Sequence, residues 1–209
     1  MREPQLGEQF GSFPQQNHAL RFGMWVFLAS EVLLFAALFA LYGGYRAMYG
    51  RDFEEAIKHN TLAYGTLNMY VLLTSSFTAA LAVWAARRGR PRLVIGLLLS
   101  TMVLGLVFIV IKLFEYAAHF REQALPGPFY HMLELPTYGA NRFFTLYWVM
   151  TGIHALHVTG GVFLLAWLSW RAWNHFYTPE HHVTLEMGTL YWHLVDVIWI
   201  FLWPLLYLA

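Results

Sequence analysis

Residues 93–111 read LVIGLLLSTMVLGLVFIVI, nineteen consecutive positions without a charged side chain. At 1.5 Å per residue a helix of this length covers about 28 Å, close to the roughly 30 Å hydrocarbon core of a bilayer. Four further runs share this character, so spans are expected at about 22–45, 62–86, 93–117, 142–170 and 185–208. A spanning segment must satisfy its own backbone hydrogen bonds, and runs this long without strand-like alternation do so as helices. The fold class expected is all-α: an integral membrane bundle of five transmembrane helices spanning residues 21–209, preceded by a polar N-terminal segment, 1–20.

Composition agrees. The 209 residues are 58% hydrophobic and 12% charged, against about 25% charged in soluble domains, and the mean hydropathy is +0.47. Residues 1–20 contain Pro4, Gly7, Gly11 and Pro14 and no apolar core, so no cleaved signal peptide is expected. The connections are short apart from 46–61 and 119–141; the latter holds Pro126, Gly127, Pro128, Pro136 and Gly139, which forbid a continuous helix. Neither is large enough for a separate domain. Basic residues set the expected orientation. Arg87, Arg88, Arg90 and Arg92 crowd one turn, and with Arg2, Arg21 and Arg171 they mark the cytoplasmic side. Arg46, Arg51, Lys58, Arg121 and Arg142 fall outside, giving a cytoplasmic N-terminus and a periplasmic C-terminus. Tyr42, Tyr45, Trp84, Trp170, Trp173, Tyr191 and Tyr207 lie near span ends, as interfacial aromatic belts do.

The absence of cysteine excludes disulfides, iron–sulfur clusters, covalently attached haem and thiolate copper sites, but leaves ten histidines. No phosphate-binding loop, nucleophile elbow or paired-carboxylate arrangement occurs. The informative residues are therefore ionisable groups inside spans, each costing at least about 2.5–3.5 kcal/mol to place in lipid. Glu31 stands near mid-membrane among Phe27, Leu34, Phe35 and Leu38. It reads either as a proton-exchanging carboxyl or as a neutral acid bonded to a neighbouring helix. Lys112 and Glu115, three apart, are expected to pair within one helix at the interface. His154 and His157 share a face with Gly161, while Glu186, Thr189, His193 and Asp196 form a polar stripe on which His193 and Asp196 fall within one turn of each other. Bis-histidine haem ligation requires ligands at matching depth. His157 and His193 differ in depth by roughly 10 Å at 1.5 Å per residue, so structural, hydrogen-bonding histidines are expected and a membrane b-type cytochrome is the rival from another class. His181, His182 and Glu180 are read as solvated interfacial residues rather than a metal site.

Five ordered motifs then resemble subunit III of cytochrome c oxidase. They are Leu20-Arg21-Phe22-Gly23-Met24-Trp25 with Ser30-Glu31-Val32-Leu33; Leu67-Asn68 with Leu72-Leu73-Thr74-Ser75-Ser76; Lys112-Leu113-Phe114-Glu115-Tyr116; Thr151-Gly152-Ile153-His154-Ala155-Leu156-His157-Val158; and Tyr191-Trp192-His193-Leu194-Val195-Asp196. The resemblance implies a non-redox accessory subunit of a proton-pumping oxidase in the bacterial cytoplasmic membrane, part of aerobic respiratory electron transport. Its direct partner is subunit I; haem a and copper lie in partner subunits, subunit II and other respiratory subunits are neighbours, and phospholipids occupy a cleft. No nucleic acid is implicated. The implied role is support of proton uptake and of stability during turnover. Glu31 matches the family's carbodiimide-reactive carboxylate and Arg171 a lipid-headgroup ligand. His154, His157, His193, Asp196, Glu186, Lys112 and Glu115 match buried polar positions that look structural. No catalytic residue and no metal ligand is expected. The chain lacks the two N-terminal helices of seven-helix members, and Lys112 stands where the mitochondrial form has glutamine. The Ser30-Glu31 pair favours cytochrome c as donor; a quinol oxidase or a nitric oxide reductase accessory subunit is the alternative.

Overall fold

The computed structural model describes residues 7–174 and 176–208. Of the polar segment 1–20, residues 1–6 (Arg2 and Pro4 included) therefore lie outside the described residues. Six α-helices account for nearly all the rest: α1 (Phe13–Met48), α2 (Gly50–His59), α3 (Leu62–Arg87), α4 (Pro91–Arg121), α5 (Tyr138–Trp173) and α6 (Val183–Tyr207). All but α2 are long and apolar enough to cross a membrane. Among the described residues there is no strand, only an isolated bridge between Ala124 and Tyr130.

Helix α1 begins nine residues earlier than the apolar run suggests, because Ser12 caps it by accepting from the Gln15 amide and Pro14 is tolerated in the first turn. Both α1 and α5 run to 36 residues, about 54 Å at 1.5 Å per residue, and so project beyond the hydrocarbon. Residues 50–59, read from sequence as loop, form α2 instead. Phe53, Ala56 and Ile57 are buried on one face while Arg51, Glu54, Glu55 and Lys58 face out. Asp52 accepts the Gly139 amide at 3.0 Å, and Asn60 donates to the Leu206 carbonyl at 2.8 Å. The short helix thus satisfies an orphan donor at the start of α5 and an orphan acceptor at the end of α6.

Helices α3, α4, α5 and α6 pack as a ring in which each touches the next and α6 closes against α3. Helix α1 lies outside it, against α5 and α6, burying only Leu28, Phe35 and Tyr42. These fall seven residues apart, the repeat that keeps one face of a helix against a neighbour. The Tyr42 hydroxyl donates to the Leu205 carbonyl.

The Trp192 indole fills the middle of the ring. Its Nε1 donates to Ser75 Oγ on α3 at 3.0 Å. A Cβ on Gly105 of α4 would stand 2.6 Å from its ring, and a Cβ on Gly161 of α5 would stand 2.7 Å from it. Two glycines therefore form the notch that admits this indole, which is what Gly161 on the His154/His157 face accommodates. Gly161→Ala is expected to lower the melting temperature of the purified complex through overpacking of about 1–3 kcal/mol. Gly43→Ala, where a Cβ meets nothing within 4 Å, should leave it unchanged or slightly raised.

Candidate functional site

The in-membrane polar groups fall into separate clusters, each joining different helices. At the α1–α5 contact, His157 Nε2 lies 2.8 Å from Glu31 Oε2, and each side chain is less than a fifth exposed. His157 Nδ1 lies 2.8 Å from the Ile153 carbonyl. That carbonyl only accepts, so Nδ1 carries a proton. The contact between Nε2 and the carboxyl then holds one further proton, whether as imidazolium and carboxylate or as imidazole and carboxylic acid. Neither form has net charge, which lowers the cost of placing Glu31 in lipid. Phe35 packs edge-on against the His157 ring at a centroid distance of 5.4 Å, and Tyr191 donates to the His157 carbonyl at 3.0 Å. A bond from Glu31 to a neighbouring helix is one of the two readings of the sequence; the identity of the partner is not legible there.

Lys112 and Glu115 do pair, at 3.1 Å, but each is only 2% exposed. They lie inside the ring, where α5 and α6 supply further partners. Lys112 Nζ donates to Glu115 Oε2, Tyr147 Oη (2.9 Å) and Tyr207 Oη (3.1 Å), and the two phenols donate to Glu115 Oε1 at 2.8 and 2.6 Å. All three ammonium protons are used. The rings of Tyr116, Tyr147, Trp199 and Tyr207 surround Nζ at 4.8–5.8 Å, adding cation–π attraction. Glutamine could not bear a charge here; lysine can, because carboxylate and phenols together satisfy it.

His154 departs from the hydrogen-bonding role expected of it. It is fully buried, stacked on Trp199 at 5.1 Å and edge-on to Phe108 at 5.5 Å, and neither ring nitrogen has a partner among the described residues. It packs as an aromatic. His193 and Asp196 do not bond to each other either. His193 Nδ1 is 2.6 Å from Ser76 Oγ on α3, while both Asp196 oxygens, deeply buried, lack a hydrogen-bond partner among the described residues. Glu186 stands at the arginine-rich end of the bundle, in the first turn of α6, where the polar stripe begins. It accepts from Arg87 at 2.7 Å and from Arg21 at 3.5 Å, with His182 Nε2 at 3.0 Å, so α1, α3 and α6 are tied at one carboxylate. Arg171 lies between the rings of Trp167 (4.9 Å) and Phe176 (4.7 Å). Burial pushes the neighbouring Tyr177 hydroxyl well above its ordinary pKa, partly countered by the Arg171 guanidinium. Trp167 lines a groove of about 380 Å³ between α1, α5 and α6, with Gly23, Phe27, Leu164 and Met187. No group of three or more His, Asp or Glu side chains among the described residues is placed to hold a metal ion.

The family model for cytochrome c oxidase subunit III matches residues 9–209, every span and every cluster above. The chain belongs to that family. It is 32% identical over 210 residues to cytochrome c oxidase subunit 3 of Corynebacterium diphtheriae, covering 97% of each chain. It is 36% identical over 196 residues to cytochrome c oxidase subunit 3 of the baboon Papio hamadryas, covering 90% of this chain and 69% of the relative. It is also 30% identical over 188 residues to quinol oxidase subunit 3 of Bacillus spizizenii, covering 89% and 85%. The protein is thus a multi-pass membrane subunit III of a haem-copper respiratory oxidase, an oxidoreductase complex.

Sequence reasoning found Lys112, Glu115, Glu31 and the histidines but not the partners Tyr147, Tyr207, Ser76 and Trp192. Tyr207, an interfacial aromatic by its place in the sequence, instead bonds Lys112 and Glu115; Ser76 and Trp192 stood within motifs without a role, and Tyr147 carried no signal. Replacing Lys112 by Met leaves Glu115 buried without its cation and is expected to destabilise the subunit by about 3–5 kcal/mol. Lys112→Met with Glu115→Leu, which removes both charges, should recover much of that loss. Melting curves of the purified complexes compare them.

Proposed function

We propose that this subunit III packs on subunit I of a cytochrome c oxidase, carries no redox centre itself, and supports proton uptake and stability during turnover. Haem a and copper then reside in the partner subunits. Subunit II and other respiratory subunits complete the assembly. In this reading the arginine-rich end faces the bacterial cytoplasm, with the N-terminus inside and the C-terminus outside.

The Glu31–His157 pair carries the reading. It supplies one exchangeable proton at mid-membrane on the helix least embedded in the bundle, where a hydrophobic reagent can reach it from lipid. The absence of redox chemistry in this chain is supported by the histidines' occupations. His157 commits both ring nitrogens, to Glu31 and to the Ile153 carbonyl, and His154 is enclosed by Phe108 and Trp199. The groove beside Trp167, with Arg171 stacked on that indole, supports a phospholipid whose phosphate meets the guanidinium. A quinol donor is the second reading, favoured by the Bacillus spizizenii relative.

Purification of the tagged chain in gentle detergent should bring down a haem-copper subunit I and a copper-binding subunit II with an a-type spectrum. A colourless chain alone would contradict the assignment, and a complex without the copper-binding subunit would favour quinol. In that complex Glu31→Gln should assemble normally and abolish labelling by a hydrophobic carbodiimide; undiminished labelling would refute the role given to Glu31. Stripping the subunit should slow proton uptake and reduce the number of turnovers before inactivation.

A further inference from the structure

The turn between α3 and α4 is built more rigidly than a surface connection requires. The Gly89 amide donates to the Ala86 carbonyl and the Arg90 amide to the Ala85 carbonyl, both at 3.0 Å. This is the paired closure of a Schellman motif, and Gly89 at φ 65° supplies the left-handed residue that it needs. Pro91 then starts α4 at once. The result places Arg88 and Arg90 on either side of the glycine and lays both over one ring. The guanidinium carbons lie 4.4 and 5.9 Å from the Trp84 ring centroid.

Both arginines are exposed, and neither has a carboxylate partner among the described residues. Neighbouring Arg87, by contrast, is committed to Glu186. Two guanidiniums over the same indole, neither with a carboxylate partner among the described residues, leave their donors available to seat an anion. The same Trp84, with Arg87, lines a groove of about 380 Å³ between α3 and α6, whose walls combine Ala80, Val83, Met187 and Leu190 with Thr189, His193 and the Arg87-paired carboxylate of Glu186. It is distinct from the Trp167 groove, although Met187 borders both.

We propose that this turn and groove bind an anionic phospholipid, its phosphate on Arg88 and Arg90 and an acyl chain along Ala80, Val83 and Leu190. A free phosphate would satisfy the arginines but has no use for the apolar walls. A zwitterionic lipid would fill the walls but bring its own cation to the seat. The anionic amphiphile matches both halves. The proposal does not depend on which side of the membrane the turn faces.

The test uses the gently purified oxidase complex, incubated with phosphatidylglycerol, phosphatidylcholine or soluble glycerol phosphate and examined by native mass spectrometry. Arg88→Gln with Arg90→Gln, both solvent-facing and therefore compatible with folding, should weaken phosphatidylglycerol retention about thirtyfold, the factor for two interfacial guanidiniums. Phosphatidylcholine retention should not change. Ala80→Phe, which narrows the groove and keeps both arginines, should also weaken phosphatidylglycerol retention. Equal retention of the two lipids by the unaltered complex, or unchanged phosphatidylglycerol retention in the double variant, would overturn the proposal. Displacement of the lipid by glycerol phosphate, with Ala80→Phe without effect, would overturn it in favour of a simple phosphate seat.

Discussion

Hydrocarbon cannot solvate a charge, and the arrangement of the ring follows from how this chain meets that constraint. Lys112 is almost wholly buried, yet each of its three protons has an acceptor and its carboxylate partner is bonded by two phenols. Breaking such a set exposes an uncompensated charge to a medium of low dielectric, whereas the intact set is nearly neutral. Because the phenols come from α5 and α6 while the ion pair sits on α4, neutralisation requires one mutual placement of the three helices. Ser75, bonded to Trp192, adds α3. Packing then completes what electrostatics specifies, with the Trp192 indole lodged between Gly105 and Gly161.

Helix α1 is held differently. It touches the ring along one narrow stripe, and grooves open on both of its flanks toward the arginine-rich end. One lies beside Trp167 and another lies against Leu190, His193 and Val197 of α6. Along that half, the Glu31–His157 contact and the Arg21–Glu186 bridge supply the polar attachments.

The sequence made the spans legible because a run such as residues 93–111 has only one low-energy form in a bilayer. It also revealed which positions carry ionisable groups, since each is an exception within an apolar run. Partners were harder. Glu31 and His157 are 126 positions apart and Lys112 and Tyr207 are 95 apart, and no local periodicity connects residues at such separations. The one partner within reach, Glu115 at i+3, was found, although its burial was not, because burial depends on α5 and α6. Helix α2 was missed for another reason. Its charged face resembles a loop, although Phe53, Ala56 and Ile57 at i, i+3 and i+4 carry the helical signature. His154 shows the limit of reading a residue by its type, since its ring serves for its shape among aromatics and not for its nitrogens.

The most direct test of the account is a double-mutant cycle on Glu31 and His157, using Glu31→Leu, His157→Leu and the pair, read by the melting of the purified complex. If the two side chains share one proton across the α1–α5 contact, the single changes are each costly and the double change costs less than their sum. The coupling expected is about 1–3 kcal/mol, as for directly bonded partners. Additive losses would contradict the account and leave Glu31 an isolated carboxylic acid beside an unrelated histidine.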